Sequence, residues 1–174
     1  MPKRVMDKDK KLTVKEASIC LDNRGELLKS LLGQFFTDLV AQIGASIDEV
    51  TLTVKPEKLL QTCKILKEDP TFSFNYLRCL SIVDYISRME IVYHIYSMEN
   101  LHKMVIKTSV TEDSPKVPSV TSIWPASNWF EREGHDLFGV QFIGHPDLSP
   151  LLLYEGFEGY PGRKSYPFHD YDEW

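Results

Sequence analysis

Charged side chains that could do acid/base chemistry are concentrated between Ser119 and Asp147 of this 174-residue chain. Glu131, Glu133 and His135 occupy alternate positions, and Asp136 follows directly. Carboxylates and an imidazole can act as general acids and bases when burial and neighbouring charges bring their pKa values into a working range. The same groups can instead form an ion-paired lock that fixes a helix in place. The lock is favoured because no nucleophile motif accompanies them.

The backbone that carries these charges is predicted to be a helix from about Ala126 to Phe138. Pro125 suits the first turn of a helix, where its missing N–H would have no intrahelical partner, and Gly139 suits the left-handed position after the last turn. Gly134 is a weak point inside this helix, because glycine costs about 1 kcal/mol relative to alanine there. A helix of this length is therefore expected to present the charges in fixed directions.

Helical spacing predicts which of these side chains share a face. Trp129, Glu133 and Leu137 fall on one stripe, so a carboxylate is expected on a packed face beside two apolar side chains. Arg132 and Asp136 are four residues apart and are expected to pair. Because burying an unpaired carboxylate is strongly unfavourable, a carboxylate on the packed face requires a cation or N–H donors.

The remaining apolar patterns predict an α+β fold with a mostly antiparallel sheet covered by helices and an extended C-terminal arm. A Leu/Phe stripe predicts an amphipathic helix over Gly25 to Ile43, which Gly44 would end. Strict alternation predicts a strand over Val50 to Val54, followed by a helix that begins at Pro56 and ends near Asp69. Its buried face is predicted to carry Leu59, Leu60, Cys63 and Leu66. Three further strands are predicted over 77–85, 90–98 and 101–110.

Residues 144–174 combine chain breakers with aromatic side chains. Four prolines and four glycines exclude a long helix, whereas seven aromatic residues would leave a free tail with much exposed apolar surface. An arm laid along another protein resolves this conflict, with Arg163 as the stronger anchor beside Lys164; the alternative is an arm that folds back on its own sheet. The predicted organisation is a flexible basic tail over 1–15, an α+β domain over 16–143 and an extended partner-binding arm over 144–174.

Composition excludes several function classes. A net charge of −5 and a pI near 5.5 argue against nucleic-acid binding. Cys20, Cys63 and Cys79 are isolated, so no disulfide framework or cysteine metal site is predicted, and a zinc site at His94 and His102 lacks a third ligand. No segment is long and apolar enough for a membrane helix, and the N-terminus lacks a secretory signal pattern, so membrane contact is expected only through partners. No phosphate-binding loop is present, which argues against nucleotide binding by this chain.

A longer pattern resembles a known family. The run from Trp129 to Leu148 resembles the signature of the C subunit of NADH:quinone oxidoreductase, which belongs to the peripheral arm of respiratory complex I. Matching residues also stand upstream at Val117–Thr121 and Trp124. Downstream the match continues at Glu155, Gly159, Pro161, Arg163, Lys164, Tyr166 and Pro167. The sequence departs from the family pattern at Ser149-Pro150, Gly162 and Ser165, positions that bear on salt bridges at a partner surface.

The resemblance implies a cofactor-free structural subunit that supports electron transfer from NADH to quinone without a catalytic residue of its own. Flavin, iron–sulfur clusters and quinone are expected in partner subunits, and the chief partner is the D subunit, which carries the quinone site. The implied location is peripheral, on the cytoplasmic face of the inner or plasma membrane (the matrix side in a mitochondrion, the stromal side in a plastid). The implied interface residues are Trp129, Glu131, Arg132, Glu133, Asp136, Phe138, His145, Pro146, Asp147, Arg163, Lys164 and Tyr166.

Three other functions remain open at this point. One is a homologous subunit of a deazaflavin- or ferredoxin-coupled dehydrogenase or of a membrane-bound hydrogenase, since the electron donor and acceptor would be bound elsewhere. The second is a stand-alone acid/base enzyme that uses Glu131, Glu133 and His135. The third is a free-standing binding module. Copurifying subunits would identify the first, activity of the single chain the second, and a monodisperse isolated chain the third.

Overall fold

A five-stranded sheet and three helices form the framework of the chain in a computed structural model that describes residues 21–36 and 42–167. The helices are α1 (Asn23–Phe35), α2 (Pro56–Glu68) and α3 (Ser127–Phe138). The strands are β1 (Gln42–Ser46), β2 (Glu49–Thr53), β3 (Tyr76–Asp84), β4 (Arg88–Ser97), β5 (His102–Thr111), β6 (Lys116–Pro118) and β7 (Gln141–Ile143). The predicted α+β class is confirmed.

The large sheet has the strand order β1-β2-β5-β4-β3. Neighbouring strands are antiparallel except for β2 and β5, which run parallel. The predicted alternation of β2 is confirmed, because Val50 and Leu52 are fully buried. Strands β6 and β7 form a separate parallel ribbon that places the two ends of the charged segment side by side.

Helix α1 is shorter than predicted. It begins after Asp22, whose Oδ1 accepts the Gly25 N–H at 2.7 Å, and it ends at Phe35. Ile43 and Gly44 belong to β1, so extending the helix to Ile43 was wrong. Ile43 faces Leu52 across the β1–β2 ladder, a long-range pairing that helical spacing does not reveal. The predicted helical positions 37–41 lie outside the described residues.

Helix α2 follows the sequence prediction closely. It begins at Pro56 and ends at Glu68, and Leu59, Cys63 and Leu66 are fully buried. Leu60 was wrongly assigned to the buried face, since 39% of its surface is exposed. The stretch that follows α2 returns to the core, where the Trp124 Nε1–H donates to the Phe74 carbonyl at 2.9 Å.

Helix α3 packs unusually close to β3. A Cβ placed on Gly134 would lie 2.6 Å from Ile82 Cδ1, so a larger residue there would require the Ile82 side chain to shift. The predicted end of the helix is confirmed: Gly139 has φ 73° and its N–H donates to the His135 carbonyl. Pro125 lies two residues before the first helical residue and not within the first turn.

Other sequence predictions concern regions away from α3. The basic tail over 1–15, Cys20 and residues 168–174 lie outside the described residues. Cys63 and Cys79 are free thiols, and no helix among residues 21–36 and 42–167 is long and apolar enough to cross a membrane. His94 Nδ1 lies 3.6 Å from a Glu49 oxygen. Within the same described ranges, no three His, Cys, Asp or Glu side chains come together as metal ligands.

Candidate partner interface

Glu131 is the most deeply buried charge-bearing side chain of α3. It is fully buried, its Oε1 accepts the Val120 N–H at 2.8 Å, and its Oε2 has no hydrogen-bond partner among the described residues. Burial raises the pKa of this carboxyl above its usual value, and the nearby Ser119 hydroxyl and the Val120 N–H offset only part of that effect. Glu131 therefore ties α3 to the loop before it from inside the fold.

The predicted ion pair between Arg132 and Asp136 does not form, because both side chains bind the chain that follows β7. Arg132 donates to the Ser149 carbonyl and hydroxyl at 3.1 Å each and to the Pro150 carbonyl at 3.0 Å. The three contacts hold the guanidinium in one direction along the helix surface. Ser149 therefore contributes both its hydroxyl and its carbonyl to this contact within the chain.

Asp136 fixes the next residues of the same segment. Its Oδ2 accepts the N–H groups of Leu151, Leu152 and Leu153 at 3.2, 2.8 and 2.8 Å. Burial alone would raise the pKa of Asp136, but these three N–H donors outweigh it and the pKa is lowered. The carboxylate is therefore a charged anchor for the backbone of the arm.

The arm also closes over the C-terminal end of α3. The Gly162 N–H donates to the Leu137 carbonyl at 2.9 Å, and Arg163 Nε donates to the Phe138 carbonyl at 2.7 Å. A guanidinium at this position stabilises the negative end of the helix dipole. Arg163 is thus engaged within the chain. A Cβ at residue 162 would lie 2.9 Å from the Leu137 carbonyl, so glycine lets the arm approach the end of α3 closely.

We call α3 together with residues 149–166 the helix–arm unit. Its Lys164 N–H donates to Asp84 Oδ2 at 2.8 Å at the end of β3. Farther along, the Tyr166 ring stacks on Phe157 with 6.2 Å between ring centroids. The described part of the arm therefore follows its own helix, as the fold-back alternative expected, although it contacts α3 more than the sheet.

The turn between β7 and the arm carries three more of the predicted interface residues. His145 Nε2 lies 3.3 Å from the Asn128 carbonyl, and its Nδ1 accepts the Asp147 N–H at 3.1 Å. Asp147 Oδ1 in turn accepts the Ser149 N–H at 2.9 Å, which lowers the pKa of this exposed carboxylate. Pro146 is exposed. These contacts shape the turn and leave one side of it open.

The acid/base trio is not assembled. Glu131 is buried against the Val120 backbone, Glu133 is exposed, and His135 Nδ1 bonds to the Val140 carbonyl at 2.9 Å. No hydrogen bond or ion pair joins the three side chains to one another among residues 21–36 and 42–167. This arrangement supplies no shared site for proton transfer.

The outer surface of the helix–arm unit carries large apolar side chains beside the exposed Glu133, Glu155 and Glu158. Trp129 is 65% exposed, Leu152 59% and Tyr154 72%. The predicted packed stripe through Trp129 and Glu133 was therefore assigned to the wrong side of the helix. The Arg132 guanidinium lies 5.7 Å from the centre of the Trp129 ring, which restrains the exposed indole.

A shallow cleft of about 280 Å³ runs between α3 and β3 beside this surface. Its lining is mainly apolar, with Glu133 at the edge. The lining residues are Cys79, Leu80, Ser81, Ile82, Phe130, Glu133, Gly134, Leu137 and Phe138. Sequence reasoning missed Leu152, whose exposure depends on the contacts that Asp136 makes 16 residues earlier in the chain. Large exposed aromatic and aliphatic groups with a nearby arginine are the composition that interface cores favour.

The amino-acid sequence matches one protein family and several of its members. Residues 52–172 match the family described as the respiratory-chain NADH dehydrogenase, 30 Kd subunit. The C 2 subunit of NADH-quinone oxidoreductase from Rhizobium etli is 40% identical over 141 residues, covering 79% of this chain and 75% of the relative. The corresponding C subunit from Roseiflexus castenholzii is 40% identical over 122 residues, covering 68% of this chain and 70% of the relative.

Two solved structures share the fold. A trypsin-resistant fragment of Nqo5 aligns with a TM-score of 0.60 and 26% identity, covering 70% of this chain and 98% of the fragment. A chain of the membrane-bound sulfane sulfur reductase, an archaeal respiratory membrane complex, aligns with a TM-score of 0.68 and 26% identity, covering 82% of this chain and 84% of the other.

Proposed function

Because the chain belongs to the family of the respiratory-chain NADH dehydrogenase 30 Kd subunit, and its relatives are C subunits of NADH-quinone oxidoreductase, we propose that it packs against the quinone-site D subunit through the helix–arm unit. The resemblance read from Trp129 to Leu148 is confirmed by the same matches. In this role the chain carries no catalytic residue and holds the quinone-reducing module in position. Its location is peripheral, on the cytoplasmic face of the membrane that bears the complex.

One observation carries the proposal: two carboxylates of the helix–arm unit lie inside the fold on backbone donors, while two of its large aromatic side chains lie outside. Glu131 and Asp136 are buried on backbone N–H donors, whereas Trp129 and Tyr154 are exposed. A chain that acted alone would gain stability from the reverse arrangement, since burying apolar surface contributes roughly 25 cal/mol per Å². Exposed aromatic groups on a backbone held this firmly are expected where a partner covers them.

The proposed absence of a cofactor rests on how the charged side chains are already used. Asp136 presents one oxygen to three backbone N–H groups, and Arg132 presents its guanidinium to carbonyl oxygens of the arm. These contacts make both side chains part of the framework. Flavin, iron–sulfur clusters and quinone are accordingly assigned to partner subunits.

A second candidate follows from the structural match to the archaeal sulfane sulfur reductase. The same fold serves a membrane complex with a different substrate there, so a homologous subunit of another donor-coupled dehydrogenase or of a membrane-bound hydrogenase is the competing assignment. The two assignments differ in the subunits that accept electrons from the donor, so identifying those subunits distinguishes them.

The decisive experiment is to tag the chain in its host, extract membranes in mild detergent and analyse copurifying subunits together with NADH-dependent quinone reduction. A large assembly with flavin and iron–sulfur subunits supports the proposal, and a different input module supports the second candidate. Recovery of the tagged chain alone from the soluble fraction would overturn both.

Surface variants locate the contact. Trp129→Ala and Tyr154→Ala should each lower recovery of the quinone-site subunit about tenfold, as expected for an aromatic anchor of an interface. Tyr76→Ala is the matched control, because Tyr76 is also exposed but lies on β3 away from the arm. Variants that assemble fully and yet lose turnover would assign a chemical role to this surface.

A further inference from the structure

The turn between β3 and β4 holds an isoleucine in a conformation that suits glycine. Ile86 has φ 71° and is 64% exposed. The left-handed region is strained for a β-branched residue, and glycine or asparagine adopts it far more easily. An exposed isoleucine at this position therefore does not stabilise the turn. Ile47 has the same backbone conformation, so the strain alone does not assign a use, and the surroundings of Ile86 carry the argument.

The residues around Ile86 form an apolar projection, which we call the hairpin tip (residues 83–88). Val83 and Tyr85 are also exposed, and the Arg88 guanidinium lies 4.5 Å from the centre of the Tyr85 ring. The arginine restrains the aromatic ring much as Arg132 restrains Trp129. The hairpin tip thus has the composition expected of an interface anchor.

A single buried carboxylate joins the hairpin tip to the arm. Asp84 Oδ1 accepts the Ile86 N–H at 2.6 Å, and Asp84 Oδ2 accepts the Lys164 N–H at 2.8 Å. Only 6% of the Asp84 surface is exposed. The turn that presents Ile86 and the end of the helix–arm unit are therefore held in register by the same side chain.

Ile47 provides an internal comparison. It has φ 58° and is likewise 64% exposed, in the turn between β1 and β2. This turn precedes β2, whereas the hairpin tip follows β3. Because β2 and β3 both run in the direction of β5, the two turns lie at opposite ends of the sheet.

We propose that the hairpin tip is a second contact with the subunit that covers the helix–arm unit, and that Ile86 fills an apolar pocket of that partner. This inference rests on the proposed function. It extends the interface from the exposed side of α3 to the end of β3, along the arm that Asp84 anchors.

The test compares two measurements on the variant Ile86→Asn, its thermal stability and its recovery of the partner, which should not fall together. The thermal unfolding midpoint of the purified full chain should equal or exceed that of the wild type, because asparagine relieves the left-handed strain. Recovery of the quinone-site subunit by the tagged variant should fall about tenfold, as for loss of a buried apolar anchor. Ile86→Leu keeps an apolar side chain and should recover most of the copurification.

Ile47→Asn is the matched control, since it makes the same chemical change in the same backbone conformation. It should leave copurification unchanged. Full copurification of Ile86→Asn would overturn the inference, and so would an equal loss with Ile47→Asn or a parallel fall in the unfolding midpoint. Failure of the wild-type chain to recover the quinone-site subunit would instead overturn the proposed function, and this inference with it.

Discussion

Replacing Asp136 with alanine should release the arm from α3 while the sheet stays folded. The N–H groups of Leu151, Leu152 and Leu153 all donate to the Asp136 carboxylate. Within the described residues they have no other acceptor. The framework strands β3, β4 and β5 do not depend on this side chain. The expected change is therefore a local opening of the arm.

The size of the effect follows from the three hydrogen bonds. A hydrogen bond to a charged group contributes about 1.5–3 kcal/mol when its partner is buried, and less when water can replace it. Because the three N–H groups share one oxygen at 3.2, 2.8 and 2.8 Å and the segment is partly exposed, their contributions do not add fully. We expect about 2–4 kcal/mol for opening of the arm.

Amide hydrogen exchange measures this opening directly. Exchange at residues 151–153 should accelerate roughly 30- to 700-fold in Asp136→Ala, the factor that corresponds to that free energy. Asp147→Asn is the matched control, because it removes a carboxylate from the adjoining turn that is exposed to solvent. Unchanged exchange at residues 151–153 in Asp136→Ala would refute the assignment of Asp136 as the anchor.

The same anchor predicts a dependence on acid. Burial opposes the shift, but the N–H donors lower the pKa of Asp136, and at Asp84 the Lys164 N–H is the main cause of a lowered pKa. Because the folded pKa is lowered, each carboxylate stabilises the arm fully at pH values above its unfolded pKa of about 3.9. This stabilisation is lost as the pH falls through the folded pKa. Protection of residues 151–153, taken relative to the intrinsic exchange rate at each pH, should therefore fall below about pH 4, and Asp136→Asn should remove much of this dependence.

Three further changes test the packing of α3. Burial raises the pKa of Glu131, so ionisation of this carboxyl opposes folding at pH 7. In denaturant titrations Glu131→Gln should therefore raise the free energy of unfolding at pH 7 by about 1 kcal/mol. Below about pH 4 the substitution should have no such effect, because the carboxyl is then protonated. Gly134→Ala should destabilise by about 1–3 kcal/mol through overlap with Ile82, whereas Gly33→Ala, on the open side of α1, should stabilise by about 0.5–1 kcal/mol. Arg163→Ala should lower the melting temperature by an amount equivalent to about 1–2 kcal/mol, since it removes the cation at the end of α3.

Local patterns in the sequence predicted the elements whose boundaries depend on nearby residues. Pro56 and the apolar spacing of α2 located that helix, and Gly139 located the end of α3. Strand β1 was missed because Ile43 is held by Leu52, a residue of the next strand. A pairing of that kind leaves no periodic signal in the segment itself, where helical and extended spacing both fit a few apolar residues.

The buried face of α3 could not be chosen from spacing alone. A helical wheel shows that Trp129, Glu133 and Leu137 share a stripe, but it does not show which stripe faces the sheet. The choice follows from Gly134, whose missing side chain lets α3 approach Ile82. It follows also from N–H donors at distant positions, which no pattern within the helix contains.

Burying carboxylates on backbone donors gives the chain a platform whose outward side can remain apolar without loss of order. Glu131 and Asp136 fix the helix and the arm from within, so Trp129 and Tyr154 add only the surface contacts with Arg132 and Phe157 and leave most of their area exposed. The two sides should therefore separate experimentally. Alanine at inner positions should lower both stability and assembly, whereas alanine at outer positions should lower assembly alone, because only the outer side chains exchange water for a partner on binding.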